Sequence, residues 1–159
     1  MFRTIDWNGA RLEMLDQTRL PAEVIYRRYD TAEEVAEAIR TMVIRGAPAI
    51  GVAVPMGIAL GMKESAGASR AELERKMQSL AALFAATRPT AVNLFWAIER
   101  MKRVFERAKQ LEPAQVVETL EKEALVMRDE DIEMNRRMGR HGESLVPENA
   151  RVLTHCNAG

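Results

Sequence analysis

Three short stretches of this 159-residue chain carry residue types suited to chemistry. The first is Arg45-Gly46-Ala47-Pro48. Gly46 lets backbone approach a ligand closely, and Pro48 suits the first turn of a helix whose free amides point outward. An arginine beside such a helix start makes a site for an anion, a phosphate above all. The plainer reading is a tight interhelical turn with a solvated arginine. The second stretch is Arg88-Pro89-Thr90-Ala91-Val92-Asn93. Thr90 is placed to cap a helix, and Pro89 holds Arg88 extended, so Arg88 sits on a fixed hinge before a helix start. The alternative is an ordinary cap with a surface arginine. The third is Cys156, followed by the small-residue turn Asn157-Ala158-Gly159. At the carboxyl end of a parallel strand this thiol faces the crevice where open α/β sheets bind ligands, and a following helix start favours its thiolate. A small buried thiol is the other reading. His155 faces the opposite way on such a strand, so adjacency does not make it the base for Cys156. His141, beside Gly142, reads as a helix C-terminal residue against free carbonyls.

These residues need elements to hold them. Phe2 to Trp7 alternates in polarity, Asn8-Gly9 signals a hairpin, Arg11 to Asp16 returns, and Val24 to Tyr29 supplies a third strand after Pro21. Residues 1–30 therefore predict a small antiparallel meander. From Thr31 the period becomes helical, with Thr31 and Glu34 spaced as a capping box and Val35, Ala38, Ile39, Met42 and Val43 on one face. A tightly packed helix is expected to start near Pro48. Further stripes are Leu73, Met77, Leu80 and Phe84, then Leu94, Ile98, Met101, Phe105 and Ala108. Pro113 opens a last long helix carrying Val117, Leu120, Ala124, Met127, Met134 and Met138, ended by Gly139 and Gly142. Asp131 falls in that stripe, so either the face is exposed there or the helix drifts. Residues 31–148 thus predict a helical bundle. Arg151 to Cys156 is β-branched enough for a strand. A strand ending in a small-residue turn is how a βαβ unit begins, so residues 149–159 read as the first strand of a Rossmann-like domain that the chain does not complete. The fold class expected is α+β, a β meander plus a helical bundle, followed by the first strand of a truncated α/β domain.

Composition narrows the function. Lysine plus arginine number 23 and aspartate plus glutamate 23, so the formal net charge is zero. No excess of positive charge is available to displace counterions, which argues against a nucleic-acid partner. Apolar residues at 47% and charged ones at 29% describe a globular chain. One cysteine excludes an intramolecular disulfide, and two histidines leave a structural zinc cage short of ligands. The first residues lack the apolar stretch of a signal peptide, and a reduced, cytoplasmic compartment is expected. The uncharged run from Gly46 to Met62 is broken by Pro48, Pro55 and its glycines, so it reads as buried in protein and not in a membrane.

Taken together, Ile44-Arg45-Gly46-Ala47-Pro48-Ala49-Ile50-Gly51-Val52-Ala53, then Thr87 to Asn93, then Leu153-Thr154-His155-Cys156-Asn157-Ala158-Gly159 resemble the methylthioribose-1-phosphate isomerase family. The opening Trp7…Leu15-Asp16-Gln17-Thr18…Leu20-Pro21 fits it as well, and the resemblance runs from end to end. One departure is Val54-Pro55-Met56, where the family is expected to carry small residues and often an aromatic. The resemblance implies an aldose–ketose isomerase of methionine salvage, converting 5-methylthioribose 1-phosphate to 5-methylthioribulose 1-phosphate. It implies that Arg45, Gly46 and Ala47 hold the substrate with Arg88 as a further ligand, and that Cys156 stabilises the transition state or relays a proton. It implies no metal or organic cofactor, a small-molecule sugar phosphate as the partner, and a homodimer. Family members are about twice as long, as a second domain of ordinary size requires. Their acid, an aspartate, lies in that second domain with an asparagine–lysine pair and a glutamine. None has a counterpart here, so the 159 residues alone are expected to be inactive. Two rivals stand beside this reading. One is an isomerase of another pentose phosphate, such as ribose 1,5-bisphosphate or 5-deoxyribose 1-phosphate. The other is a non-catalytic regulatory subunit of the translation initiation guanine-exchange factor, which shares the fold.

Overall fold

A computed structural model of the chain describes residues 3–8 and 11–155. The amino-terminal alternation forms β1 (Ile5–Trp7), β2 (Leu12–Leu15) and β3 (Tyr26–Tyr29), an antiparallel sheet in that order. Trp7 pairs with Leu12 and Leu12 with Tyr29. Side chains alternate across a strand, so Leu12 and Met14 turn into the core while Glu13 turns out to meet Arg28 at 3.1 Å. The β1–β2 turn is held by Asn8, whose side-chain oxygen accepts the Arg11 N–H at 3.0 Å. Phe2 and Gly9 lie outside the described residues. Val24 and Ile25 precede β3 and are exposed, so the third strand is shorter than its β-branched run.

The helical pattern then yields α1 (Ala32–Arg40), α2 (Ala47–Met62), α3 (Arg70–Ala85), α4 (Val92–Ala108) and α5 (Pro113–Glu143), with a 3-10 turn at Lys63–Ser65. Thr31 and Glu34 make the expected capping box on α1, and Ser69 with Glu72 and Glu112 with Gln115 do the same for α3 and α5. α2 is the centre of the molecule. It is apolar on every face and buried from Ile50 to Met62, the pattern of an interior helix. Pro55 does not interrupt it: the proline removes one helical hydrogen bond, and packing on all sides keeps the helix whole. No helix of the described residues is long and apolar enough to cross a membrane. Gly57 and Gly61 let neighbours close in, since a Cβ there would meet Phe84 at 2.3 Å and Leu80 at 2.6 Å. Trp7 ties the sheet to the helices by donating its indole N–H to Glu121 at 3.1 Å, with Lys63 over its ring at 5.6 Å.

The stripes on α3 and α4 are buried residue for residue as expected. Four expectations need correction. α1 ends at Arg40, so Met42 leaves the stripe; it is exposed in a left-handed conformation (φ 64°), while Val43 folds back inward. On α5, Val117, Leu120, Ala124 and Met127 are buried but Met134 and Met138 are exposed. The cause is length: α5 has 31 residues and α2 has 16. At about 1.5 Å per residue, α5 runs well past the bundle. Gly139 does not end α5 and Gly142 lies within its last turn, because a glycine costs only about 1 kcal/mol of helix propensity. Residues 151–155 form no strand, and Val152 and Leu153 stand exposed. A strand needs a hydrogen-bonding neighbour, and no strand of the described residues runs beside them.

Candidate functional site

Helix directions bring the two arginine loops to one end of the bundle. α5 runs opposite to α2: Glu121 meets Lys63 at 3.6 Å, while Met127 and Met134 stand across a cavity from Pro48 and Gly51. The short connection after Ala108 turns α5 back on α4 as well, with Arg100 bonding Glu123 at 2.6 Å. α2 and α4 therefore run in the same sense and start side by side. A Cβ on Gly51 would lie 3.4 Å from that of Asn93. α3 runs opposite to α2, since Phe84 packs at Gly57 and Leu80 at Gly61. It delivers Thr87 to Ala91 to the end where α2 begins.

The Arg45 loop is shaped by backbone. Thr41 closes α1 through its N–H (2.8 Å) and hydroxyl (2.7 Å) on the Glu37 carbonyl. Gly46 then caps α2 with φ 98°, a conformation that side chains resist, and its carbonyl accepts the Ile50 N–H at 3.0 Å. Gln17 pins the loop twice: its N–H donates to the Val43 carbonyl at 2.9 Å and its carbonyl accepts from Arg45 Nη2 at 3.4 Å. Asp16 holds that turn. Fully buried, it accepts from the Thr18 N–H at 3.0 Å, the Thr18 hydroxyl at 2.6 Å and Arg27 Nε at 2.6 Å. Burial pushes its carboxyl up, but these hydrogen bonds outweigh burial and hold it below the usual aspartate range.

The Arg88 loop follows the same logic. Thr87 is buried with its hydroxyl on the Phe84 carbonyl at 2.7 Å. Arg88 is half-buried, and its Nη1 is buried with no hydrogen-bond partner among the described residues. Thr90 does not cap α4. The Arg88 carbonyl accepts the Ala91 N–H at 3.0 Å, which closes the turn one residue later and makes Ala91 the cap. Three helices are closed by capping boxes, whereas α2 and α4, the two that follow the arginine loops, have neither a side-chain cap nor an acidic first turn. Free N–H groups and the positive ends of two helix dipoles thus gather at one end of the bundle, next in the chain to the two arginine loops.

A cavity of about 360 Å³ opens between the first turns of α2 and α4 and the middle of α5. A second hollow of about 340 Å³ lies on the sheet beside Arg11, Glu13 and Arg28. None of its lining residues belongs to either loop, and its charges are paired: Arg28 with Glu13, Arg11 with Asp30 and Asp6 with Arg3. Arg45 and Gly46 are half-buried and Ala47 is exposed; none of the three, nor Arg88, lines the first cavity, whose wall begins at Pro48. Cys156 lies outside the described residues; His155 is exposed, and His141 sits exposed in the last turn of α5. Sequence reading missed Asp16 and Arg27 as supports of the Arg45 loop, because their pairing crosses from one strand end to another.

The family model for the initiation factor 2 subunit family matches residues 43–159, which include both loops. The chain belongs to that family. Among relatives, a methylthioribose-1-phosphate isomerase of Geotalea daltonii is 53% identical over 99% of this chain and 46% of its own length. A 5-deoxyribose 1-phosphate isomerase of Moorella thermoacetica is 46% identical over 98% of this chain and 44% of its own. The crystal structure of 5-methylthioribose 1-phosphate isomerase from Pyrococcus horikoshii superposes with a TM-score of 0.93 at 39% identity, covering 100% of this chain and 44% of that one. The delta subunit of translation initiation factor eIF-2B from A. fulgidus follows at 0.88 and 39%, covering 100% and 46%. This member of the initiation factor 2 subunit family spans about half the length of the curated relatives it matches.

Proposed function

We propose that this chain is the amino-terminal part of a sugar-phosphate isomerase that converts 5-methylthioribose 1-phosphate to 5-methylthioribulose 1-phosphate in methionine salvage. One observation carries the reading most directly: the two helices whose starts lack a side-chain cap are the two that open at Arg45-Gly46-Ala47 and just after Arg88, and they start together. That is a cradle for a dianion, and the relatives' names supply the sugar phosphate. Arg45, Gly46, Ala47 and Arg88 hold the substrate there. Phosphate on carbon 1 keeps the sugar from opening to a free aldehyde, so opening requires an acid at the ring oxygen. The hydrogen on carbon 2 then passes to carbon 1, and the carbon 2 hydroxyl releases its proton as it becomes a carbonyl. Charge that develops on the way needs a preorganised site. Cys156 is the group assigned to stabilise it or relay the proton, and the acid comes from a Rossmann-like domain of the complete protein. The complete protein acts as a homodimer in the cytoplasm, where the thiol stays reduced.

The test is ketose formation by the complete protein, followed by NMR on 5-methylthioribose 1-phosphate. Turnover is expected, with most of it lost in Cys156→Ser. Near-normal turnover in that variant refutes the role of Cys156, and no ketose with the unsubstituted protein refutes the isomerase. The Moorella relative favours a second reading, 5-deoxyribose 1-phosphate as the better substrate, which a side-by-side comparison of kcat/KM decides.

A further inference from the structure

Buried polarity in this protein sits under the two arginine loops. Among the described residues the buried polar side chains are Asp16, Gln17 and Thr87; the first two underlie the Arg45 loop and the third precedes Arg88. Asp16 is the one charged side chain of the three. We infer that Asp16 is a positioning residue for substrate binding, which acts through the Gln17 backbone to set the direction of the Arg45 guanidinium. The inference rests on the isomerase reading and deepens it.

The chain of contacts is short. Thr18 donates two hydrogen bonds and Arg27 a third to the Asp16 carboxylate, which fixes the turn around Gln17. The turn is also tied to the run before β3, where the Asp16 N–H donates to the Ile25 carbonyl at 2.8 Å. Gln17 in turn engages the Val43 carbonyl and Arg45 Nη2. The bond to Nη2 takes one of the five N–H donors of a guanidinium and so sets the plane in which the fork lies. The loop needs such a support, because Met42 at φ 64° and Gly46 at φ 98° both adopt backbone that side chains disfavour. Desolvation offsets much of the attraction between Asp16 and half-exposed Arg27, so what the buried carboxylate supplies is a fixed geometry more than stability.

The experiment loosens the turn from its exposed side. Thr18→Val removes the hydroxyl donor at 2.6 Å without touching the core, and Thr18→Ser keeps it. In the complete protein, Thr18→Val is expected to raise KM for 5-methylthioribose 1-phosphate about 2- to 30-fold, the range for coupling carried through packed contacts. Its kcat should hold, because Arg45 grips the phosphate alike before and during reaction. Thr18→Ser should return KM to that of the unsubstituted protein, and Asp16→Asn should raise it as Thr18→Val does. With Arg45→Ala already in place, Thr18→Val should move KM less than about twofold. A role in stability alone lowers Tm and produces neither the KM rise nor its dependence on Arg45. An unchanged KM in both Thr18→Val and Asp16→Asn, or the same rise with Arg45 removed, overturns the positioning role and leaves the isomerase standing. An Arg45→Ala protein of normal KM takes Arg45 out of the site and this inference with it. No turnover by the unsubstituted protein overturns the isomerase as well.

Discussion

Gly57→Ala tests the packing that sets α3, and with it Arg88, against α2. A Cβ at this position stands 2.3 Å from Phe84 Cζ and 2.9 Å from Val35 Cγ1. Both side chains are fully buried, so neither can swing aside into solvent. Overpacking of this kind costs about 1–3 kcal/mol, and replacing a helical glycine by alanine returns about 1 kcal/mol of propensity. Because 2.3 Å is far inside van der Waals contact, the upper part of that range applies. The net loss is then about 1–2 kcal/mol, or a fall in Tm of about 2–8 °C for a chain of this size. Gly139→Ala is the control, since nothing lies within 4 Å of a Cβ there. It should gain about 0.5–1 kcal/mol. Thermal unfolding followed by far-UV circular dichroism reads both. Phe84→Leu in the Gly57→Ala background should recover part of the loss by making room. If Gly57→Ala raises Tm as Gly139→Ala does, the close approach of α3 to α2 is wrong, and so is the route by which Arg88 reaches the site.

Removing Arg88 bears on the anion cradle directly. Arg88→Ala should raise KM for the sugar phosphate about 10- to 100-fold, the loss of one or two charge-assisted hydrogen bonds. Its Tm should hold or rise, because a buried Nη1 without a partner disappears; a KM unchanged in this variant removes Arg88 from the site. Asp16 gives a pH test. Its folded pKa is depressed, so its contribution is full above the ordinary aspartate range and is lost as pH falls below about 4 toward the folded value. Asp16→Asn should cost about 1–2 kcal/mol at neutral pH, reduced because Arg27 is half exposed, and should flatten the acid limb of a Tm–pH profile. An acid limb as steep as that of the unsubstituted protein would contradict the assignment.

Much of this molecule is legible in the chain itself. Alternation at Leu12, Glu13 and Met14, the capping box at Thr31, and the stripes of α3 and α4 are local patterns, and each formed where its period placed it. Gly46 and Pro48 announced a helix start with an open amide end, and the family resemblance rested on such short motifs. What local pattern cannot carry is direction and distance. That α2 and α4 start together follows from both lying antiparallel to α5, and the Arg45 loop is held by a turn about thirty residues earlier through Gln17 and Asp16. The same holds for Asp131. In the chain it is a polar break in a stripe, and only the packing of three helices shows that the break faces a cavity. The ends of α1 and α5 were misread because a stripe reports which face is apolar, while the neighbouring helices decide how far along it anything remains to bury against. The expected strand at residues 151–155 went unformed for a related reason: strand propensity becomes a strand only beside a partner.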